Sequence, residues 1–317
     1  MALLISLLVL VAVIGLSWMG NGIANQYGAT SGVLLGGANA ASKPYSITSI
    51  SAGATSWHSV GLRQDGTVLA TGWDSDGQVS GVAGWSGIEA VYPGCYTTVG
   101  LRSDGTVVAV GDLSWGGLDF TGWTNIVALA VDDGRTVGIR SDGTCLATGT
   151  DILGSNAVGG WTGITQVAVG NYHTVGLRSD GTVVATGGNG DGQCDVSSWT
   201  SIIQVEAGPA STMGLRSDGT VVATGQNAHG ELDVGSWTGI TRIAMGGTHT
   251  LGLRGDRTVI ATGDDYYGQV SGVAGWTNIY GIDAGYSHSL GLTKNGRVLA
   301  VGSNDDGELD VSTWGTP

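Results

Sequence analysis

Four of the five histidines occupy one place in a recurring pattern: His58, His173, His249 and His288 stand where other copies carry Thr97, Arg135 and Ser211. Imidazole can bind metal or move protons, but equivalent positions of a repeat are carried apart, so these side chains do not converge on one ion. Hydrogen bonding within the architecture is the reading that fits them, and His229 is an isolated loop residue. The acidic stretches DSDGQ (74–78), GNGDGQ (188–193) and SNDDGE (303–308) look like oxygen-rich calcium loops. They lack the regularly spaced further ligands and the closing bidentate glutamate that such a loop needs. Arg63, Arg102, Arg140, Arg178, Arg216 and Arg254 could form an anion site, but each lies two residues before an Asp that offsets its charge in the same turn. Cys95, Cys145 and Cys194 show no CxxC or Cys/His ligand spacing, and an odd count cannot close a disulfide framework. No GxSxG elbow, phosphate loop, paired zinc motif or separate carboxylate pair is present. The sequence therefore predicts no catalytic residues, no metal and no cofactor.

The elements that position these residues are copies of one unit. Gly-Leu-Arg or its variant begins at Gly61, Gly100, Gly138, Gly176, Gly214, Gly252 and Gly291, and a tryptophan keeps the same beat at Trp85, Trp123, Trp161, Trp199, Trp237, Trp276 and Trp314. A fixed period of this kind marks a repeat architecture. Within one unit, HTVGLR (173–178) alternates, SDG reverses the chain and TVVATG (182–187) gives a second β-rich run. Asp-Gly supplies the positive φ that a tight hairpin needs, with Asn295-Gly296 as the equivalent in the last copy. In GDRT, Arg257 takes the glycine slot, which predicts strain moved to Gly255 or a different turn. A third run, ITQVAVG (164–170), has the small residues expected of a crowded innermost strand.

Each unit is thus about one four-stranded sheet, too small to bury its own faces, and radial closure into a β-propeller hides its edges. The expected fold is all-β, a seven-bladed propeller over 45–317 closed by its N-terminal strand, with one hydrophobic helix ahead of it. ITSISAG (47–53) matches the strand that follows each tryptophan, so the start of the domain is expected to complete the last blade. Charged residues are 12% of the chain, there are 59 glycines without a Gly-X-Y period, and the net charge is −14, which argues against nucleic acid as a partner.

The combination AGxxHTxGLRxDGTVxATGxNxxGQ resembles the regulator-of-chromosome-condensation repeat, and the resemblance covers 45–317. It implies a propeller that presents binding faces. The family's nuclear exchange factor has longer blades with an inserted wedge, for which successive steps of 38 or 39 residues leave no room. These spacings resemble more closely the compact seven-bladed repeats of the propeller-type β-lactamase inhibitor, and that resemblance implies a protein-binding face.

The first charged side chain is Lys43, and Leu3, Leu4, Ile5, Leu7, Leu8, Val9, Leu10, Val11, Val13, Ile14 and Leu16 make the opening stretch apolar enough for a membrane-grade helix. Residues 1–25 are read as an assembly or membrane helix and 26–44 as a neck. An uncharged apolar N-terminus resembles the mature end of a type IV pilin-like subunit, although Ile5 stands where bacterial pilins carry a glutamate. That resemblance implies self-association through the helix, membrane contact before assembly, and a filament subunit at the cell surface. A membrane-tethered protein and a cleaved secreted protein are the alternatives, with Ala38-Asn39-Ala40 in the form of a cleavage site.

Aromatic residues outside the repeating tryptophans supply the candidate binding face for a protein or glycan: Trp57, Tyr96 and Tyr172 before one strand, and Trp73, Trp115, Tyr266 and Tyr267 after another. Packing at blade edges or between filament heads is the alternative use for them.

Overall fold

The computed structural model describes residues 46–112, 114, 119–132 and 134–314. The apolar N-terminal stretch, the neck and Trp115 lie outside the described residues. Among the described residues no helix is long and apolar enough to cross a membrane.

Seven sheets follow one another along the chain. Blade 1 holds β1 (Ile47–Ser51), β2 (His58–Arg63) and β3 (Val68–Gly72), and blade 2 holds β4 (Ile88–Pro93), β5 (Thr97–Arg102) and β6 (Val107–Gly111). Blade 3 holds β7 (Ile126–Asp132), β8 (Arg135–Arg140) and β9 (Cys145–Gly149); blade 4 holds β10 (Ile164–Val169), β11 (His173–Arg178) and β12 (Val183–Gly187). Blade 5 holds β13 (Ile202–Ala207), β14 (Ser211–Arg216) and β15 (Val221–Gly225); blade 6 holds β16 (Ile240–Met245), β17 (His249–Arg254) and β18 (Val259–Gly263). Blade 7 holds β19 (Ile279–Ala284), β20 (His288–Thr293) and β21 (Val298–Gly302). The first strand of each blade touches the first strands of its neighbours, so these seven strands surround the axis, as their small residues predict.

Two expectations about the sheets are corrected. Each sheet has three strands rather than four, because the segment after the outer strand is organised by side chains instead of a ladder. In blade 1, Asp74 Oδ1 accepts the amides of Val79 (2.8 Å) and Ser80 (2.9 Å), and Gln78 Oε1 accepts that of Asp76 (2.9 Å). The last blade is also complete without help from the start of the chain. β1 sits at the seam against β19 and β20, but its ladder is with β2 in its own blade.

Side chains therefore close the ring. The core divides into seven apolar clusters, each between adjacent blades; the one at the seam joins Ile47 and Ile50 of blade 1 to Leu290, Leu292, Val311 and Trp314. The repeating glycine explains the repeating tryptophan. A Cβ on Gly61 would lie 2.7 Å from the Trp314 ring, and one on Gly176 would lie 2.7 Å from Trp161. Each indole thus lies flush on the next blade's middle strand, at a position only glycine can occupy.

Inner and middle strands share an irregularity in every blade: Ile47 pairs with Arg63 and Ser49 with Leu62, leaving Thr48 as the extra residue of a bulge. The hairpin turns are held locally. Asp65 Oδ1 accepts both the Thr67 amide (2.9 Å) and the Thr67 hydroxyl (2.6 Å), which holds its carboxyl below the usual range. Arg257 does not hand its strain to Gly255 but itself adopts φ 71° in the glycine slot.

Candidate binding face

The loop after each inner strand and the end of each outer strand lie on one rim, opposite the hairpin turns. Four aromatic side chains of three blades meet there. Tyr286 of blade 7 stacks on Trp57 of blade 1, with ring centroids 5.1 Å apart at 12°. Trp57 meets Trp73 edge to face at 5.7 Å and 85°, and Trp73 meets Tyr96 of blade 2 at 6.0 Å and 90°. Backbone bonds fix the row: Tyr286 N donates to Ser56 O (3.0 Å) and Trp73 N to Trp57 O (3.0 Å). The result is a rigid, partly exposed ladder of rings with low entropy left to lose on binding.

The structure brings Trp57, Trp73 and Tyr96 together and places Tyr172, Tyr266 and Tyr267 elsewhere. Tyr266, 83% exposed, and Tyr267 pair with each other at 4.9 Å and 82°. Tyr172 stands near Leu153, which is 71% exposed, and a Cβ on Gly188 would touch both side chains. Tyr286 is the member that repeat counting misses. It lies one position ahead of the Trp57 column, in line with Ser56 and Gly247, so register alone places it with structural residues.

The histidines form a belt beneath this rim. His58 Nε2 meets Thr98 Oγ1 (2.8 Å), His173 meets Thr212 (2.8 Å), His249 meets Ser289 (2.9 Å), and His288 meets Ser59 across the seam (3.0 Å). Each of these hydroxyls gives its proton to a carbonyl of the preceding loop, as Thr98 does to Gln78 O (2.8 Å) and Ser59 to Glu308 O (2.8 Å). The imidazole Nε2 must then be the donor, and the ring is neutral. Burial lowers His58 and His288 to about 3 and His173 and His249 to about 4. In the fifth blade-to-blade contact of this belt, the Arg135 guanidinium donates to Ser155 Oγ and to the carbonyls of Gly170 and His173.

The carboxylates and amides of the acidic loops turn inward to their own amides, as the Asp74 bonds show; Asn189 Oδ1 accepts Cys194 N (2.8 Å) and Asn304 Oδ1 accepts Leu309 N (2.8 Å). Cys145 is buried in β9 with its thiol pushed up to about 12 by burial. Cys194 Sγ lies 3.3 Å from Gly188 O.

Sequence reading also missed a polar cluster on the axis. Gln166 Oε1 accepts Val205 N (2.9 Å) from the next blade; Gln204 Oε1 accepts Ile243 N (3.0 Å) while its Nε2 donates to Ile243 O (2.7 Å) and Glu206 Oε1 (2.7 Å). These side chains satisfy the free edges of inner strands. Asp283 accepts its neighbour's amide, Ala284 N (2.8 Å), and Ala52 N across the seam (3.3 Å). Burial raises Asp283 to about 7, and burial together with Asp283 pushes Glu206 well above its ordinary range, against the pull of Arg242. The cluster offers buried proton-bearing groups with no nucleophile beside them among the residues named, and its bonds are structural.

Comparison with known proteins identifies the repeat. The family model described as the regulator of chromosome condensation (RCC1) repeat matches residues 47–78, 164–193, 202–231, 240–269 and 279–308. Five of the seven blades are RCC1 repeats. The second and third blades, outside those matches, have the same three-strand build. Similar solved structures include the CRINKLY WD40 ectodomain of the Arabidopsis thaliana receptor kinase ACR4, at 16% identity and TM-score 0.69, covering 83% of this chain and 96% of that one. The ectodomain of the Physcomitrella patens receptor kinase CR4 is 18% identical with TM-score 0.66, covering 80% and 72%. Prp20p from Saccharomyces cerevisiae is 18% identical with TM-score 0.58, covering 72% and 74%. At these identities the likeness is one of fold. No curated protein matches the sequence significantly.

Proposed function

We propose that this RCC1-repeat propeller is a non-catalytic protein-binding module that holds its partner on the rim carrying Tyr286, Trp57, Trp73 and Tyr96. The observation that supports the reading is the ladder itself: four aromatic rings from three blades, in contact with one another and partly open to solvent. Indole and phenol rings on a rigid scaffold are the side chains that most often dominate binding energy at interfaces. The receptor-kinase propellers are ectodomains, and Prp20p is described with binding to Gsp1p and histones, so related folds serve as binding platforms. An extracellular setting, with the apolar N-terminal stretch as an anchor or assembly segment, belongs to the same proposal.

The test starts from the full chain immobilised in native form, with a retained protein identified and then titrated in purified form. Trp57→Ala should weaken that complex by about a hundredfold, corresponding to a hot-spot loss of about 2 to 3 kcal/mol, while Tyr266→Ala leaves it unchanged. Equal affinity of the Trp57→Ala chain for the purified partner, or selective retention of a glycan with no protein, would reject the assignment.

A further inference from the structure

The opposite rim carries one departure from the repeat that the protein-binding reading does not use. Blades 1 to 5 each have a turn of the form Arg-x-Asp-Gly-Thr, in which one cation faces one carboxylate. Blade 6 reads Arg254-Gly255-Asp256-Arg257-Thr258, and blade 7 reads Thr293-Lys294-Asn295-Gly296-Arg297. Four of the twelve Lys and Arg residues therefore fall in two adjacent turns that contain one carboxylate. That carboxylate, Asp256, is committed to the Thr258 amide (3.0 Å) and hydroxyl (2.6 Å).

Two of the four cations, Lys294 and Arg297, line an open pocket of about 730 Å³ together with Trp276, Asn278, Tyr280 and Leu299, among others. Arg257 places its guanidinium carbon 4.4 Å from the centre of the Tyr280 ring, and Lys294 Nζ lies 5.9 Å from it. Arg257 holds this position from a left-handed backbone conformation that glycine occupies in the equivalent turns, such as Gly219 at φ 81°. The column containing Tyr280 reads Thr48, Glu89, Val127, Thr165, Ile203 and Thr241 elsewhere, so the aromatic floor is also unique to this blade.

We infer that this pocket binds a small organic oxyanion, a carboxylate or phosphate attached to an apolar body that rests against Tyr280. Guanidinium and ammonium donors match either oxyanion, and Asn278 and Asn295 add neutral donors. The volume is that of a small-molecule site. A polyanion is disfavoured because the chain carries a net charge of −14, whereas a compact anion within a screening length of the pocket responds to the local excess of cations. Ser46 and Ile47 lie beside Gly296, and the sequence of residues 1–45 contains no Asp or Glu.

The experiment is calorimetric titration of the full chain with phenyl phosphate and with phthalate at constant ionic strength, and with phenol as the neutral control. Saturable binding of phenyl phosphate identifies the phosphate source, saturable binding of phthalate the carboxylate source, and phenol should not bind. The double substitution Lys294→Ser with Arg297→Thr restores residues that other blades carry at these positions; it should keep the melting temperature and weaken binding by about tenfold or more. Arg257→Gly restores the common turn and serves as an independent variant, with a smaller loss expected. Absence of saturable binding by both charged probes, phenol binding as well as they do, or unchanged affinity in the folded variants would overturn the inference.

Discussion

On the hairpin rim, five blades repeat one turn almost letter for letter; on the opposite rim, the column headed by Trp57 reads Trp57, Tyr96, Gly134, Tyr172, Ala210, Thr248 and Ser287. The turn residues are held to type by their own bonds, as Asp65 is by Thr67. The rim column changes residue type from blade to blade, so the common fold does not prescribe one there. Where a scaffold leaves positions free, large exposed aromatic residues are better explained by recognition than by folding. The turns of blades 6 and 7 break their own rule, and there a cationic pocket opens.

If stability resides in the belts between blades and recognition in the rims, acid should expose the division first. The four buried histidines have folded values of about 3 to 4, below the ordinary 6.5, so the unfolded chain takes up protons that the folded one refuses. Stability is then fully present above pH 6.5 and falls as the pH drops towards about 4, by roughly 3 kcal/mol for each histidine at the bottom of that window. Cooperative loss of near-ultraviolet dichroism over this range is expected. A propeller that keeps its melting temperature at pH 4 would break the comparison.

Gly61→Val comes next in size. The added side chain collides with Trp314 at the seam and should cost about 3 kcal/mol in urea unfolding. Glu206→Gln sharpens the comparison from the axis. A carboxyl raised in the folded state contributes stability below its ordinary range and loses it as pH rises through its folded value. The variant, which keeps an acceptor for Gln204, should gain stability relative to the parent as the pH rises above the ordinary carboxylate range, and equal it near pH 4. Arg257→Gly is expected to do least. Relief of a left-handed side chain, about 1 kcal/mol, nearly cancels the lost contact with Tyr280, so melting should shift little.

The seven blades were legible because period, Asp-Gly turns and paired Gly and Trp positions are all local signals that the structure must repeat. The three-strand build was not, because DSDGQVSG (74–81) and its equivalents carry the length of a strand but place Asp and Gln where side-chain bonds replace a ladder. Trp57, Trp73 and Tyr96 could be picked from the column rule, whereas Tyr286 could not, since it reaches Trp57 from one residue out of register across the seam. Glu206, Asp283 and Arg242 sit on three different inner strands, and only closure of the ring sets them on one axis.

The contacts at the join between blades 7 and 1 are of the same kinds as those at other joins: an imidazole on a hydroxyl, an indole on a glycine, and an apolar cluster between sheets. Among the described residues no strand is exchanged there, so the seam is built like the other joins. Circularly permuted propellers opened in the loops between other blades should accordingly fold to the same ring of sheets.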